Sequence, residues 1–306
     1  MVLKTVTKGM ALKPKIEGII TALITPFTQE DNVNENILRE LVEFQVKNGV
    51  HGLYPCGTTG EGLSMSIEQR KRVAEIVVEQ VKARIPVVVH VGAIDTAMTI
   101  ELAKHAEKIQ ADALGCVTPY YYSPDDDAII EHYRRVAESV RIPIFIYNIP
   151  HRTNINVTPD LMVRLAKLPK IMGVKDSSRD FTQLCEYIQK LGERFTVVCG
   201  TDGFMIPALF MGAKAAVSAV ANSFPELFVE AYDAYKNRNY EKAVELQYKI
   251  IAARKALAKP AIAPLKEALK MRGFRAGTVK TPLRPMTRKE ITKLRESLAR
   301  LGLIGS

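Results

Sequence analysis

One pattern constrains the fold of this chain more than any other. A short apolar run, a polar turn and an amphipathic segment alternate eight times. Amphipathic segments such as NENILRELVEFQVKNG repeat apolar residues every three or four positions, which is typical of helices packed on one face. The apolar runs are near-continuous, which indicates strands covered on both faces, as in a parallel sheet. They lie at 18–27, 49–57, 85–93, 111–121, 142–150, 171–177, 195–202 and 214–222.

Eight strands in strict alternation with helices predict an α/β fold, a (β/α)8 TIM barrel. A doubly wound sheet is the alternative, but no GxGxxG follows the first strand, which disfavours a dinucleotide-binding version. The strand pattern stops after residue 224, and four helical patterns follow, at 226–238, 240–257, 262–272 and 287–302. We therefore predict a catalytic barrel over residues 1–224 with a C-terminal helical appendage over residues 225–306.

Composition and the N-terminal sequence indicate the cellular location of the protein. The 306 residues are 47% hydrophobic and 25% charged, ordinary values for a globular enzyme. No apolar run reaches the length of about 18 residues that a membrane span needs. The basic N-terminus, MVLKTVTKGMALKPK, lacks the continuous apolar core of a signal peptide. We therefore expect a cytoplasmic protein with no membrane partner.

Metal binding and disulfide formation are both disfavoured. Four cysteines, at positions 56, 116, 185 and 199, have no CxxC spacing, and the five histidines have no ligand spacing. Three of the cysteines lie in or beside apolar runs, where a cysteine usually acts as a small buried hydrophobe. We therefore predict no metal and no disulfide framework.

The net charge of +10 is concentrated near the C-terminus, since residues 249–306 hold 15 Lys/Arg and 3 Asp/Glu. A basic block can bind nucleic acid. However, Phe274 is the only aromatic residue in this block, no nucleic-acid-binding motif is present, and the charges recur at helical spacing. We therefore predict a solvated basic face and no specific nucleic-acid partner.

Polar motifs follow four of the predicted strands. In a (β/α)8 barrel, functional residues lie at the carboxyl ends of strands and in the loops just after them. Strands two, four, five and six end in GTTGEG (57–62), PYYY (119–122), YNIPHRT (147–153) and VKDSS (174–178). We expect these four ends to converge on one pocket.

Lys175 ends the sixth apolar run. Lysines are rarely buried unless they are paired or the site needs an uncharged amine. Desolvation at the barrel mouth lowers the pKa of an ammonium group, and a neutral amine attacks a ketone to form a Schiff base. The resulting iminium is an electron sink that allows carbon–carbon bonds to form or break. The alternative is a structural lysine paired with Asp176 or Glu61.

The other motifs are ambiguous when each is taken alone. Tyr147 could shuttle protons, but it could equally be a core tyrosine with a satisfied hydroxyl. GTTGEG offers backbone N–H groups and hydroxyls suited to an anion, although many Gly-rich turns look alike. Arg152 could grip a carboxylate with two hydrogen bonds, or it could be a surface arginine.

Taken together and in this order, the four motifs closely resemble those of the dihydrodipicolinate synthase / N-acetylneuraminate lyase family, the pyruvate-dependent class I aldolases. The resemblance extends from ITALITPF near residue 18 to the LRPMT segment and the last helix, which ends in LGLI. It implies a lyase that acts on a small keto acid and an aldehyde. It also implies that no cofactor is needed, because a lysine forms the Schiff base with the substrate.

The resemblance assigns catalytic roles to four residues. Lys175 matches the lysine that forms the Schiff base with pyruvate, and Tyr147 matches the tyrosine that relays protons. Thr58 matches the threonine that links this tyrosine to a second one, which a neighbouring subunit donates. The register of PYY makes that second tyrosine Tyr121. The family's usual assembly is a tetramer of two tight dimers, so we expect a homotetramer.

The resemblance also implies the substrate contacts. Thr59 matches the residue that holds the pyruvate carboxylate, and Arg152 matches the arginine that binds aspartate semialdehyde in the synthase branch. Backbone around Gly200 and Val217 is expected to contact pyruvate.

Within the family, the sequence favours the synthase branch of lysine biosynthesis. Arg152 and GTTGE are typical of that branch, and archaeal 2-keto-3-deoxygluconate aldolases commonly carry leucine in place of Glu61. Two departures lie nearby: HRTN, with His151 and Asn154, replaces the usual SRTG, and Gly62 replaces a frequent serine. The alternatives are therefore a 2-keto-3-deoxy sugar-acid aldolase, an N-acetylneuraminate-type lyase or a family dehydratase. An alternative of another class is a non-catalytic barrel that binds a keto acid.

Overall fold

The computed structural model describes residues 15–305. Residues 1–14, on which most of the signal-peptide prediction rests, lie outside this range. Eight strands alternate with helices along the chain. The strands are β1 (Gly18–Thr21), β2 (Gly52–Leu53), β3 (Val88–His90), β4 (Ala113–Val117), β5 (Ile144–Asn148), β6 (Ile171–Asp176), β7 (Thr196–Cys199) and β8 (Ala215–Ser218).

Twelve α-helices follow or separate these strands within residues 15–305, together with three short 3₁₀ turns. The α-helices are α1 (Glu35–Lys47), α2 (Ile67–Val81), α3 (Thr96–Lys108), α4 (Asp126–Ser139), α5 (Pro150–Thr153), α6 (Pro159–Leu165), α7 (Phe181–Leu191), α8 (Met205–Met211), α9 (Pro225–Lys236), α10 (Tyr240–Ala256), α11 (Ala263–Met271) and α12 (Arg288–Arg300).

The eight strands form one parallel sheet in the order β2-β1-β8-β7-β6-β5-β4-β3. A parallel bridge between Leu53 and Val87 joins the two edges of the sheet, so the barrel is nearly closed. All eight apolar runs contain a strand of this sheet. The (β/α)8 fold is therefore confirmed.

Side chains alternate between the barrel interior and the helical layer, because successive residues of a strand point to opposite faces. Phe145 and Val198 pack in the interior, while Ile144 and Val197 pack against the helices. Gly173 on β6 leaves room for the interior packing, since a Cβ there would lie 2.3 Å from the ring of Phe145. This packed interior supports the site above it.

The local sequence also fixes where helices begin. Asn34 accepts a hydrogen bond from the backbone N–H of Ile37 at the start of α1. Ser66 and Gln69 form a capping box at the start of α2. Such caps satisfy backbone N–H groups that have no partner within the helix.

The four helices predicted after the last strand correspond to α9–α12. Helix α9 contacts β1 and packs along α10, while α12 contacts α10 and α11. The division of the chain at residue 224 stays a prediction. No helix within residues 15–305 is long and apolar enough to cross a membrane.

Candidate active site

A cavity of about 180 Å³ opens at the carboxyl ends of the strands. Seven of the eight residues predicted for the site line it together. They are Lys175, Tyr147, Thr58, Thr59, Arg152, Gly200 and Val217. Of the four strand ends that we predicted to converge, those of strands two, five and six line this cavity, and PYYY after strand four does not.

Lys175 lies beside Tyr147 because β5 and β6 pair in parallel with these two residues in register. Only 6% of Lys175 is exposed. Its Nζ lies 3.3 Å from the centre of the Tyr147 ring and 5.1 Å from that of Tyr54. The amine is thus enclosed by aromatic faces at the mouth of the barrel.

The burial of Lys175 lowers the pKa of its amine, and the interaction with Tyr147 opposes this effect only in part. A desolvated amine loses the water that stabilises its charged form. Lys175 therefore holds a larger neutral fraction near neutral pH than an exposed lysine does.

The carboxylates that could have paired with Lys175 are engaged elsewhere. Glu61 forms a fully buried ion pair of 2.6 Å with Lys266. Asp176 accepts hydrogen bonds from Asn148 at 2.8 Å and from Ser178 at 2.6 Å. Within residues 15–305, Lys175 forms no ion pair with either acid, which disfavours the structural alternative for this lysine.

Tyr147 is buried, and its Oη lies 3.4 Å from Oγ1 of Thr58. Burial by itself raises the pKa of Tyr147, but the charge of Lys175 and hydrogen bonding by Thr58 outweigh it, so the pKa is lowered overall. A phenol with a lowered pKa gives up its proton more readily, which suits a proton shuttle.

The loop that carries Thr58 and Thr59 is anchored on both sides. Oε2 of Glu61 accepts the backbone N–H of Lys280 at 2.7 Å, while Oε1 pairs with Lys266. Thr25 donates to the backbone oxygen of Gly60 at 2.7 Å. These contacts tie the loop to β1 and to the C-terminal helices.

Arg152 lies in the short helix α5, which directly follows β5. Its side chain lines the main cavity and also an adjacent cavity of about 240 Å³. Thr58 and Ile149 line both cavities as well, and Tyr120 lines the adjacent one. Arg152 can therefore reach a ligand that extends outward from Lys175.

Comparison with known proteins agrees with this geometry. A sequence model of the Dihydrodipicolinate synthetase family matches residues 15–301. The 4-hydroxy-tetrahydrodipicolinate synthase of Syntrophus aciditrophicus (strain SB) is 38% identical over 290 residues, which cover 94% of this chain and 99% of that protein. This chain belongs to the dihydrodipicolinate synthase family. The family consists of pyruvate-dependent lyases, so the chain is an enzyme of that class.

Solved structures of the family share the fold. Dihydrodipicolinate synthase from Bacillus anthracis is 31% identical, with a TM-score of 0.90 over 93% of this chain and 98% of that one. A monomeric dihydrodipicolinate synthase variant is 32% identical, with a TM-score of 0.90 over 97% of this chain and 100% of that one.

Two departures from the family's usual sequence have a local explanation. Asn154 ends α5 with φ +59°, so it adopts the left-handed conformation expected when it stands in place of glycine. Gly62 leaves no space for a side chain, since a Cβ there would lie 1.8 Å from the backbone oxygen of Cys56. The loops on both sides of the site therefore fit the residues that this chain carries.

Tyr121 lies apart from the family site in this single chain. It is 83% exposed, with φ +80°, and its ring contacts Tyr122. Neither Thr58 nor Tyr147 is among its ring contacts. A role for Tyr121 in the site of a neighbouring subunit stays a prediction.

The cavity contains further residues that the sequence motifs did not indicate. Asp202 follows β7 and is buried, which raises the pKa of its carboxyl group to about 6. Its position after a strand is a signal that could have revealed it. Arg179 and Arg254 also line the cavity, and nothing in the local sequence marks Arg254, which lies on α10.

Below the cavity lies a buried cluster that includes Tyr54, His90 and Arg70. The His90 ring packs edge-on against Tyr147, and Arg70 donates to the backbone oxygen of His90 at 2.9 Å. Burial, followed by the charge of Arg70, lowers the pKa of His90 well below its usual range, so this imidazole is neutral. No three His, Cys, Asp or Glu side chains within residues 15–305 are grouped to hold a metal ion.

Proposed function

We propose that this enzyme condenses pyruvate with aspartate semialdehyde and so acts as a 4-hydroxy-tetrahydrodipicolinate synthase. The observation that carries the proposal is the buried amine of Lys175, which forms no ion pair within residues 15–305 and lies against Tyr147. Two relatives that are 38% identical are 4-hydroxy-tetrahydrodipicolinate synthases, which supports the choice of second substrate. The proposed reaction needs no metal or other cofactor, and we place the enzyme in the cytoplasm.

The first half of the reaction joins Lys175 to pyruvate. The neutral amine attacks the ketone carbon, and the carbonyl oxygen leaves as water once Tyr147 and Thr58 have supplied and removed protons. Thr59 holds the pyruvate carboxylate. Tyr147 then takes a proton from the methyl carbon, which converts the iminium into an enamine.

The second half forms the carbon–carbon bond. The enamine carbon attacks the aldehyde carbon, and the new alkoxide takes a proton from Tyr147. Arg152 orients the aldehyde by binding its carboxylate with two charge-assisted hydrogen bonds. The amino group of the aspartate semialdehyde part then attacks the iminium carbon, which closes the ring of the product and displaces the amine of Lys175.

A sugar-acid aldolase or an N-acetylneuraminate-type lyase would use the same pyruvate half and another aldehyde. A coupled assay that pairs pyruvate with aspartate semialdehyde, glyceraldehyde and N-acetylmannosamine in turn distinguishes them. The proposal expects the fastest condensation with aspartate semialdehyde and its loss in Arg152→Ala. Equal rates in Arg152→Ala and the unchanged enzyme would contradict the proposed substrate.

We propose further that the enzyme is a tetramer of two dimers, in which Tyr121 enters the site of the neighbouring subunit. Two observations support this assembly. Tyr121 is an exposed aromatic residue with a positive φ, a conformation that most residues avoid. Helix α10 also exposes an apolar stripe, and α8 exposes two apolar residues. These exposed residues are Phe210, Met211, Tyr240, Val244, Tyr248 and Ile251.

A further inference from the structure

Three arginines from separate parts of the chain converge on the cavity above Lys175. Arg152 comes from α5, Arg179 follows β6, and Arg254 comes from α10. Within residues 15–305, none of the three guanidinium groups makes a hydrogen bond or an ion pair. Among the residues that line this cavity, Asp202 is the only carboxylate. The cavity lining therefore carries more positive than negative charge, and the guanidinium groups are free to bind an anion.

The position of Arg179 has a conformational cost. Its φ is +70°, in the left-handed region that residues other than glycine seldom adopt. Backbone strain of this kind is concentrated at functional sites, where the surrounding structure maintains it. An arginine at this point of the loop places a charge where a glycine would relieve the strain.

The three arginines act electrostatically on the same region of the cavity. His151 also lines the cavity, and its pKa is lowered first by burial and then by Arg179, Arg152 and Arg254. Arg254 also acts on Asp202, which lies deeper in the cavity. All three arginines line the same cavity of about 180 Å³, so they act together on a ligand bound there.

Aspartate semialdehyde does not use this charge in full. Its tail carries one carboxylate and one ammonium group, and Arg152 alone can match the carboxylate. We propose that Arg179 and Arg254 form a second anion subsite, so that the enzyme also condenses pyruvate with aldehydes whose tail carries a phosphate or carboxylate group and no ammonium group. This inference rests on the proposed Schiff-base function of Lys175 and adds a class of second substrate.

The bond-forming step is the same as with aspartate semialdehyde. The enamine carbon forms a bond to the aldehyde carbon, and the alkoxide takes a proton from Tyr147. Because these aldehydes carry no amino group that could displace Lys175, water hydrolyses the iminium and releases the product. The anionic tail takes no part in bond making. It lies at the cavity mouth, where paired guanidinium groups suit phosphate and carboxylate oxygens.

Matched aldehydes test the subsite in the full-length enzyme. D-Glyceraldehyde 3-phosphate is compared with D-glyceraldehyde, and succinic semialdehyde is compared with butanal. We expect kcat/KM for the charged member of at least one pair to exceed that of its neutral partner by about 10- to 100-fold. The two pairs distinguish a phosphate site from a carboxylate site.

Two substitutions link this preference to the arginines. Arg179→Gly suits the left-handed backbone and should fold, and Arg254→Gln keeps the length of an exposed helical side chain. Each should lower kcat/KM for the charged aldehyde about 10-fold more than it lowers kcat/KM for the neutral partner, mainly through a higher KM. Arg295→Ala removes an exposed charge on α12, away from the cavity, and should change neither value.

Equal use of both members of both pairs, or a charge preference that survives in Arg179→Gly and Arg254→Gln, would overturn the subsite. The proposed function is judged separately by borohydride trapping of pyruvate on Lys175. If trapping succeeds and the preference is absent, only the anion subsite fails. If trapping fails, the Schiff-base function fails first.

Discussion

At the scale of single residues, two opposing effects determine the pKa of the Lys175 amine. Burial removes water and lowers the pKa of the amine, while the aromatic face of Tyr147 stabilises the positive charge. Burial is the larger effect, so the neutral amine that the proposed Schiff-base reaction requires is more populated than in an exposed lysine.

The rate of Schiff-base formation should follow this pKa. The neutral fraction of Lys175 rises as pH increases through the pKa of the folded protein, which burial places below the ordinary value of 10.5. The rate constant for pyruvate addition should therefore rise with pH and level off before pH 10.5. Rapid-quench borohydride trapping across pH 6 to 11 measures it. A rate that still rises steeply through pH 10.5 would contradict a lowered pKa.

Replacement of Tyr147 with Phe removes the hydroxyl that lies within reach of Thr58. We expect kcat to fall about 100- to 1,000-fold, the range for loss of a positioned acid–base group, while the fold is retained. Tyr133→Phe is the matched control, because Tyr133 is buried and donates to the backbone oxygen of Cys116 away from the cavity. Steady-state kinetics of both variants tests this, and equal losses in the two would show that the effect is structural.

At the scale of elements, an ion pair links the Thr58 loop to α11. Lys266 and Glu61 are both about 1% exposed, and Lys266 also donates to the backbone oxygens of Thr25 and Thr278. Removal of one partner from such a pair leaves an uncompensated buried charge. The pair therefore couples the C-terminal helices to the loop that carries Thr58 and Thr59.

Lys266→Met should lower the free energy of unfolding by about 3–5 kcal/mol, because Glu61 is left charged and buried. It should also raise KM for pyruvate, since the loop loses an anchor. The double variant Glu61→Leu, Lys266→Met should recover much of the stability, since no charge is left unpaired. Urea unfolding of the two single variants, Glu61→Leu and Lys266→Met, and of the double variant completes the cycle. Strictly additive losses would contradict coupling between the two residues.

The alternation of apolar runs and amphipathic segments predicted all eight strands and the order of the helices, because strand and helix periods depend on neighbours in sequence. Lys175, Tyr147 and Thr58 could be predicted because functional residues of a barrel follow the carboxyl ends of its strands, which sequence order alone identifies. The Glu61–Lys266 pair joins residues 205 positions apart, and Arg254 reaches the cavity from α10. Such contacts depend on how helices dock on the barrel, which periodicity does not specify.

At the scale of the whole molecule, the site in one chain lacks the second tyrosine of the family's proton relay. Tyr121 is on the surface, and the solved relatives include a monomeric variant, so assembly has to be tested in this protein. Closed dimers pair the same patch on two copies, which lets each subunit complete the site of its partner.

Subunit mixing tests whether Tyr121 acts across the dimer. Lys175→Ala and Tyr121→Phe should each be nearly inactive, and a one-to-one mixture refolded together should recover about a quarter of the wild-type activity through random pairing. Each hybrid dimer then has one complete site. Size-exclusion chromatography with light scattering checks assembly in parallel. Absence of recovery in a mixture that assembles normally would place Tyr121 outside the partner's site.

The proposed function depends on a covalent bond between Lys175 and pyruvate. Borohydride reduction of the full-length enzyme with pyruvate, followed by peptide mass spectrometry, tests it most directly. We predict one reduced pyruvate adduct per chain, located on Lys175 and absent without pyruvate, with Lys266 unmodified as the buried internal control. No adduct, or an adduct confined to another lysine, would contradict the Schiff-base function.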